Sequence, residues 1–365
     1  MKKLCISSGE KPMRPFLVLG LLLVWMAIPA AAHGAAPGKH SSNDDTGKKI
    51  KRPFSEEEAK STIKKLGGEV RRNQVFERLF GDSVENPIIE IRIGHRATTV
   101  DPSIALSFPK LQILDLRGSK ISEKDLSCLV GIPSLGKLDL GFTNITDHGL
   151  ANLRNLKQLR HLSLAASRGI GNQGLRHLQG LKNLNVLELD QTTVTDDGLV
   201  HIRNLKTLRT LSLGGLSVSN AGVANLAQLK DLEVLVLAKT KIDGRALANL
   251  QEMKNLRILC LFETWVSSKQ LIHLEKLSKL ESLNLGSTIV DDPGVKHLKK
   301  LKSLKHLHLG DTPISDASIS DLRGMTNLRT LNVSGTNISE DAQNFFRNYF
   351  DALRERLKES HKQEQ

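Results

Sequence analysis

His306 and His308 lie two residues apart, so on a strand both imidazoles point to one side, with Asn284, Asp311 and Asn332 on or near the neighbouring strands. Two imidazoles so spaced are half of a metal site. No third strong ligand joins them, so no metal and no cofactor is expected. Cys260 has no histidine placed to serve as its base, which removes the thiol nucleophile reading. His177 with His201, and His273 with His297, share one column of a recurring G-L-x-H-L-like pattern and are read as part of that pattern. Carboxylates recur at fixed intervals rather than as a pair in a cleft, and the glycines keep the same interval instead of forming a phosphate loop. The expectation is a protein without catalytic residues.

The interval that governs these residues is 24. Leu111, Leu135, Leu159, Leu184, Leu208, Leu232, Leu256, Leu280, Leu304 and Leu328 align ten units, and only the third is longer, with 25 residues. Each reads L-x-x-L-x-L-x-x-T-x-I-[ST]-D-x-G-L-x-x-L-x-x-L-x-x, as from Leu135 through Leu138, Leu140, Thr143, Ile145, Asp147, Gly149 and Leu150 to Leu156. The first half has the period of two of a strand, and the second half the spacing of a helix. Between them stands Ser122, Thr146, Thr195, Ser219, Asp243, Ser267, Asp291, Ser315 or Ser339, side chains suited to cap a helix start. One unit cannot bury its leucines alone, so the units must stack into a shared core. The expected fold is α/β, a curved solenoid with a parallel β-sheet on the concave face and helices on the convex face.

This pattern resembles the leucine-rich repeats of secreted bacterial proteins with 24-residue units, in which T-x-[IV]-[ST]-D-x-G-L replaces N-x-L. The segment from Ile63 to Val70, with Gly67 and Gly68, also resembles the helix and glycine pair that precede the repeats in that group. The resemblance spans residues 55 to about 340 and implies a protein-interaction scaffold with no catalytic residues to carry over. The repeats are also similar to the repeat half of eukaryotic F-box leucine-rich proteins, but no F-box-like segment precedes them. The column usually held by an asparagine ladder carries Ser119, Thr143, Thr192, Thr240, Thr264, Thr288, Thr312 and Thr336, whose hydroxyls are expected to bridge to the backbone of neighbouring turns.

Outside the repeats, residues 1–32 hold basic, apolar and small-residue zones in order: Lys2, Lys3, Lys11 and Arg14, then Phe16 to Ile28, then Ala30 to Ala32. They read as an export signal cleaved after Ala32 or else Ala36, because 13 apolar residues fall short of the roughly 20 that span a bilayer. A polar linker over 33–54, an N-terminal cap with a degenerate first repeat over 55–110, ten repeats over 111–340 and a C-terminal capping helix and tail over 341–365 complete the expected organisation. Cys128 and Cys260 lie in the first and seventh units, roughly 25 Å or more apart at ~4.8 Å per stacked strand, which excludes a disulfide between them. An exported chain without such a bridge fits a periplasmic, cell-envelope or extracellular bacterial protein. The membrane is engaged only through the signal.

A partner is expected on the concave sheet, whose outward residues vary while the leucines do not. The middle of that row is apolar: Val234, Val236 and Ala238 in the sixth unit stand beside Ile258, Cys260 and Phe262 in the seventh, followed by Trp265. Aromatic anchors ringed by Arg209, Glu233, Lys239, Arg257 and Glu263 read as a binding patch for a protein or peptide. The formal charge of +13 places its surplus elsewhere, at the termini and on the helical side near Lys296, Lys299, Lys300 and Lys302. That basic convex face is the alternative site, for anionic polysaccharide or a membrane surface. Export argues against nucleic acid.

Overall fold

A computed structural model describes residues 54–72, 87–93 and 99–363; the expected export signal and all of the linker except Phe54 lie outside them. Each unit contributes a strand of three residues centred on its second leucine column, because that leucine alone of the three must face inward between two outward side chains. The strands are β1 (Glu69–Arg72), β2 (Ile88–Arg92), β3 (Ile113–Asp115), β4 (Lys137–Asp139), β5 (His161–Ser163), β6 (Val186–Glu188), β7 (Thr210–Ser212), β8 (Val234–Val236), β9 (Ile258–Cys260), β10 (Ser282–Asn284), β11 (His306–His308) and β12 (Thr330–Asn332). They form one sheet in strictly sequential order. β1 pairs antiparallel with β2, and every later pair is parallel, in a register that places Leu259 beside Leu235 and Leu283.

The leucine columns are the core. Leu111, Leu135, Leu159, Leu184, Leu208, Leu232, Leu256 and Leu280 are wholly buried, and so are the second and third columns at Leu187, Leu189, Leu211 and Leu213. Each buried leucine contributes roughly 1.5–3 kcal/mol. A continuous core of this kind lengthens with every unit. The helical halves are shorter than a regular helix: Asp147–Ala151, Asp196–Leu199 and Asn220–Ala224 are α-helical, while Glu123–Gly131, Gly244–Asn249 and Ser268–Lys276 are 3₁₀ turns. With three buried leucines at i, i+3 and i+6, tight turns present the apolar residues as well as an α-helix does.

The hydrogen bonds that join the units differ from expectation. At Thr192, Thr240, Thr264 and Thr288 the hydroxyl stays within its own unit and donates to the leucine carbonyl three residues earlier, at 2.6–2.7 Å. Ser167, in the same column, bridges units as expected, donating to the Leu140 carbonyl at 2.8 Å and lying 3.3 Å from the Thr143 hydroxyl. The ladder between units is one place past the cap. Asp147 accepts from the amide of Gly171, Asn172 from Thr195, Asp196 from Ser219, Asn220 from Asp243, Ser268 from Asp291, Asp292 from Ser315 and Asp316 from Ser339, all at 2.7–3.0 Å. The capping expectation is met by Ser219, Asp243 and Ser315, whose side chains accept from the amide two residues on. Thr146, Thr195, Ser267 and Asp291 occupy the same position without that bond. Thr195 instead receives the Asn172 amide, and Ser267 donates to Gln270.

The ladder explains the glycine of the D-x-G-L motif. A Cβ on Gly222 would lie 2.2 Å from the Asp196 carboxylate, so the rung of one unit fills the space a side chain would take in the next. Where the rung is absent, at Gly244, the glycine is absent too, and Gln270 stands in its column.

Both ends are covered. Ser55 and Glu58 form a reciprocal capping box on the helix Glu56–Lys65, which buries Ala59 and Ile63. At the far end the helix Glu340–Gln363 buries Phe346 and Phe350 and leaves Phe345 and Tyr349 exposed, stacked with centroids 6.3 Å apart. No helix among the described residues is long and apolar enough to cross a membrane.

Candidate functional site

The parallel register aligns the outward residues of adjacent strands, which sets Val234 beside Ile258 and Val236 beside Cys260. Val234 is nearly closed off by its neighbours, at 6% exposure, while Val236, Ile258, Cys260 and Phe262 are half-buried. These side chains form one apolar strip across β8 and β9. The Phe262 ring reaches further along the sheet than its own unit. Its contact is the imidazole of His308, two repeats on, met edge-on with centroids 6.5 Å apart. Gly286 lies between them and leaves the space both rings use. The Lys239 ammonium stands 5.8 Å from the Phe262 centroid and 3.0 Å from Glu263.

Trp265 is not part of this strip. Glu263 has a left-handed backbone, φ 52°, as does the equivalent residue of every unit, and the chain leaves the sheet there. Past that turn Thr264 and Val266 point inward and Trp265 outward, 67% exposed, on the edge of the solenoid beside Ile289 of the next unit, itself 51% exposed. Trp265 and Ile289 therefore make a second apolar spot. The charged ring around the strip is paired with itself from unit to unit: Arg209 with Glu233, Lys239 with Glu263, and Arg257 with Glu281. Exposed pairs of this kind contribute little stability but hold the side chains in place.

The two histidines singled out by spacing do share one side of β11. His306 Nδ1 lies 2.9 Å from the Thr330 hydroxyl, and His308 meets the Asn332 amide at 2.9 Å and the Gly310 amide at 3.2 Å. Burial keeps both imidazoles below the ordinary histidine range, with Arg329 and Lys305 pushing His306 the same way. Among the described residues no three His, Cys, Asp or Glu side chains converge as a metal site. Burial also pushes the Cys260 thiol up to about 11, so it stays protonated.

A polar network on β3 to β7 was visible in the sequence only as charges that cancel. The Arg117 guanidinium binds Asp115 at 2.7 Å and Asp139 at 3.2 Å. His161 Nε2 is 3.8 Å from Glu188, and burial, then the Lys137 ammonium, push its imidazole down to about 3. Burial raises Asp139, Glu188 and Asp190. Asp190 accepts from the Ser212 hydroxyl and the Gly214 amide through one oxygen, while the other is buried without a partner. The signal that could have found this network is the recurrence of Asp115, Asp139 and Glu188 at one strand position, since that position is walled by neighbours on both sides. On the convex side Lys299 pairs with Asp321, and Lys296 and Lys300 are exposed.

A family model described as leucine-rich repeats, in two copies, matches residues 302–347. No curated protein matches the chain in sequence. Among solved structures, an internalin of Listeria monocytogenes is similar at 22% identity and a TM-score of 0.53, covering 73% of this chain and 88% of its own. A leucine-rich repeat protein of Leptospira interrogans is similar at 18% identity and a TM-score of 0.52, covering 69% of this chain and 73% of its own. At such identity the likeness is one of fold. Periodicity, a sheet of twelve sequential strands and these likenesses agree that the chain is a leucine-rich repeat solenoid.

Proposed function

We propose that the chain is a non-enzymatic scaffold of a bacterial cell envelope that holds a protein or peptide on its concave sheet. The observation that supports this reading is the apolar strip of Val236, Ile258 and Cys260 leading to Phe262, framed by side chains already held in ion pairs. A partner that covers the strip gains apolar burial without having to break the frame, and an aromatic at the centre of such a patch is the usual anchor. The zones of residues 1–32 support export, and recurring carboxylates held by neighbours, such as Asp115 by Arg117 and Asp190 by Ser212, support a binding rather than a catalytic role.

The test is affinity capture from envelope extract with the wild-type chain, a Phe262→Asp variant and a Trp265→Asp variant, each shown to be folded by circular dichroism. Retention of a specific protein by the wild type and the Trp265 variant, with loss in the Phe262 variant, supports the concave strip. Equal retention by all three with release at moderate salt overturns it in favour of the basic convex face, where Lys296 and Lys300 are exposed.

A further inference from the structure

At the edge where the chain enters the sheet in the last repeats, a cavity of about 430 Å³ opens beside the C-terminal helix. Its wall holds Arg257, Lys279, Lys302, Lys305 and Arg329 against a single carboxylate among the described lining residues, Glu281, and Leu353 of the C-terminal helix forms part of the wall. These side chains come from consecutive repeats, Arg257, Glu281, Lys305 and Arg329 directly after the first leucine column and Lys279 and Lys302 one and two residues before it, so the stacking itself brings them together. Lys302, grouped by sequence with the convex lysines, belongs here instead.

The five cations are not equivalent. Glu281 binds Arg257 at 2.5 Å and Lys305 at 2.7 Å, and so holds two of them in fixed positions. The Lys279 ammonium donates to Asn255 at 2.8 Å. Among the described residues no hydrogen bond or ion pair engages the Lys302 ammonium or the Arg329 guanidinium. The backbone around them is nonetheless held: the Asn327 amide donates to the Lys302 carbonyl at 2.8 Å, and the Arg329 amide to the Lys305 carbonyl at 2.7 Å. One carboxylate leaves most of this positive charge uncompensated in a concave space, where low-dielectric walls concentrate the field. Burial first, and then Arg329 and Lys305, hold the imidazole of the neighbouring His306 below its ordinary range.

We propose that this cavity binds an anion with two or more closely spaced negative charges, of the phosphate- or sulfate-ester class, with Lys302 and Arg329 as direct ligands and Arg257 and Lys305 held ready by Glu281. An arginine fork matches two oxygens of such a group, and an ammonium supplies a point charge beside it. A multivalent anion is required because a single charge would leave the remaining cations opposed. The site goes beyond the concave-strip reading and does not rest on it.

The test is calorimetric titration of the full chain with pyrophosphate at low ionic strength, beside a Lys302→Ala, Arg329→Ala double variant and a convex control, Lys296→Ala, Lys300→Ala. The expected result is saturable binding of one pyrophosphate, weakened about tenfold or more in the cavity variant and unchanged in the control. Pyrophosphate should also raise the thermal unfolding midpoint of the wild type and the control but not of the cavity variant, whose own midpoint shows that it folds. Absence of saturable binding, or equal weakening in the control, overturns the proposal. Vesicles of phosphatidylglycerol distinguish the source of the anion. Sedimentation with them, competed by pyrophosphate, assigns a lipid headgroup, and its absence alongside pyrophosphate binding assigns a soluble phosphate or sulfate ester.

Discussion

The Phe262 ring stands edge-on to the His308 imidazole, with 84° between their planes, although two repeats separate them in sequence. Gly286, on the unit between, permits this: a Cβ there would lie 2.5 Å from His308 Nδ1 and 3.1 Å from Phe262 Cδ2. The apolar strip and the histidine pair, which look like two constellations in the sequence, are one surface.

Removing the ring should therefore be felt at the histidine. In Phe262→Ala, water reaches His308 and its imidazole should titrate closer to the ordinary value of about 6.5. An NMR titration of the ring protons checks this, and an unchanged His308 titration would show that Phe262 does not shield it.

The ladder predicts where stability lies between units. Asp292 accepts from the Ser315 amide at 2.7 Å and its hydroxyl at 2.6 Å, and also from the Ser318 hydroxyl. Asp292→Ala should cost about 1–3 kcal/mol by leaving these donors unmatched. Thr288→Val, which removes a bond within one unit, should cost less; urea denaturation of both variants gives the comparison.

Gly244 and Gln270 form an exchanged pair, since a Cβ on Gly244 would lie 2.7 Å from the Gln270 Cβ. Gly244→Asp alone should destabilise by that clash, and Gln270→Gly alone by loosening a helical turn. Together they restore the rung seen elsewhere, so the double variant should be more stable than the sum of the two by about 0.5–1.5 kcal/mol. A double-mutant cycle that closes to zero would reject the exchange.

Acid should loosen the concave network from the histidine side first. His161 is held neutral in the fold, its value pushed down to about 3 against an unfolded value near 6.5, so the unfolded chain gains the proton first and stability falls as pH drops below about 6.5. With its ring partly reachable by solvent, the loss by pH 4 is on the order of 2–3 kcal/mol. Asp139, Glu188 and Asp190 act in the opposite sense: raised in the fold, they stabilise it most below about pH 4 and lose that contribution as pH rises through their folded values. Unfolding midpoints between pH 7 and 4 should therefore fall less steeply in His161→Gln than in the wild type.

Neither described cysteine should react while the chain is folded. Burial is the first cause for both thiols, pushing Cys128 up to about 12 and Cys260 to about 11. Thiol titration at pH 8 should give negligible labelling of these two residues until denaturant is added, and rapid native labelling of Cys260 would show that the apolar strip opens.

Much of this protein could be read from its sequence because the repeat writes three-dimensional burial along one dimension. Leu111, Leu114 and Leu116 declare a strand, Leu150 and Leu153 a helical turn, and the interval of 24 declares their stacking. The apolar strip of Val236, Ile258 and Cys260 was legible for the same reason, since register in a sequential parallel sheet follows from the repeat itself. Tertiary structure decided what depends on side-chain reach across repeats. It placed the inter-unit ladder on Asp196 and Asp292 rather than on the threonines, joined Phe262 to His308 across Gly286, turned Trp265 out to the edge, and brought Lys302 and Arg329 into one cavity. Periodicity records which way a residue points from its own backbone. How far its side chain extends, and which neighbour leaves room for it, is set only when the units are stacked.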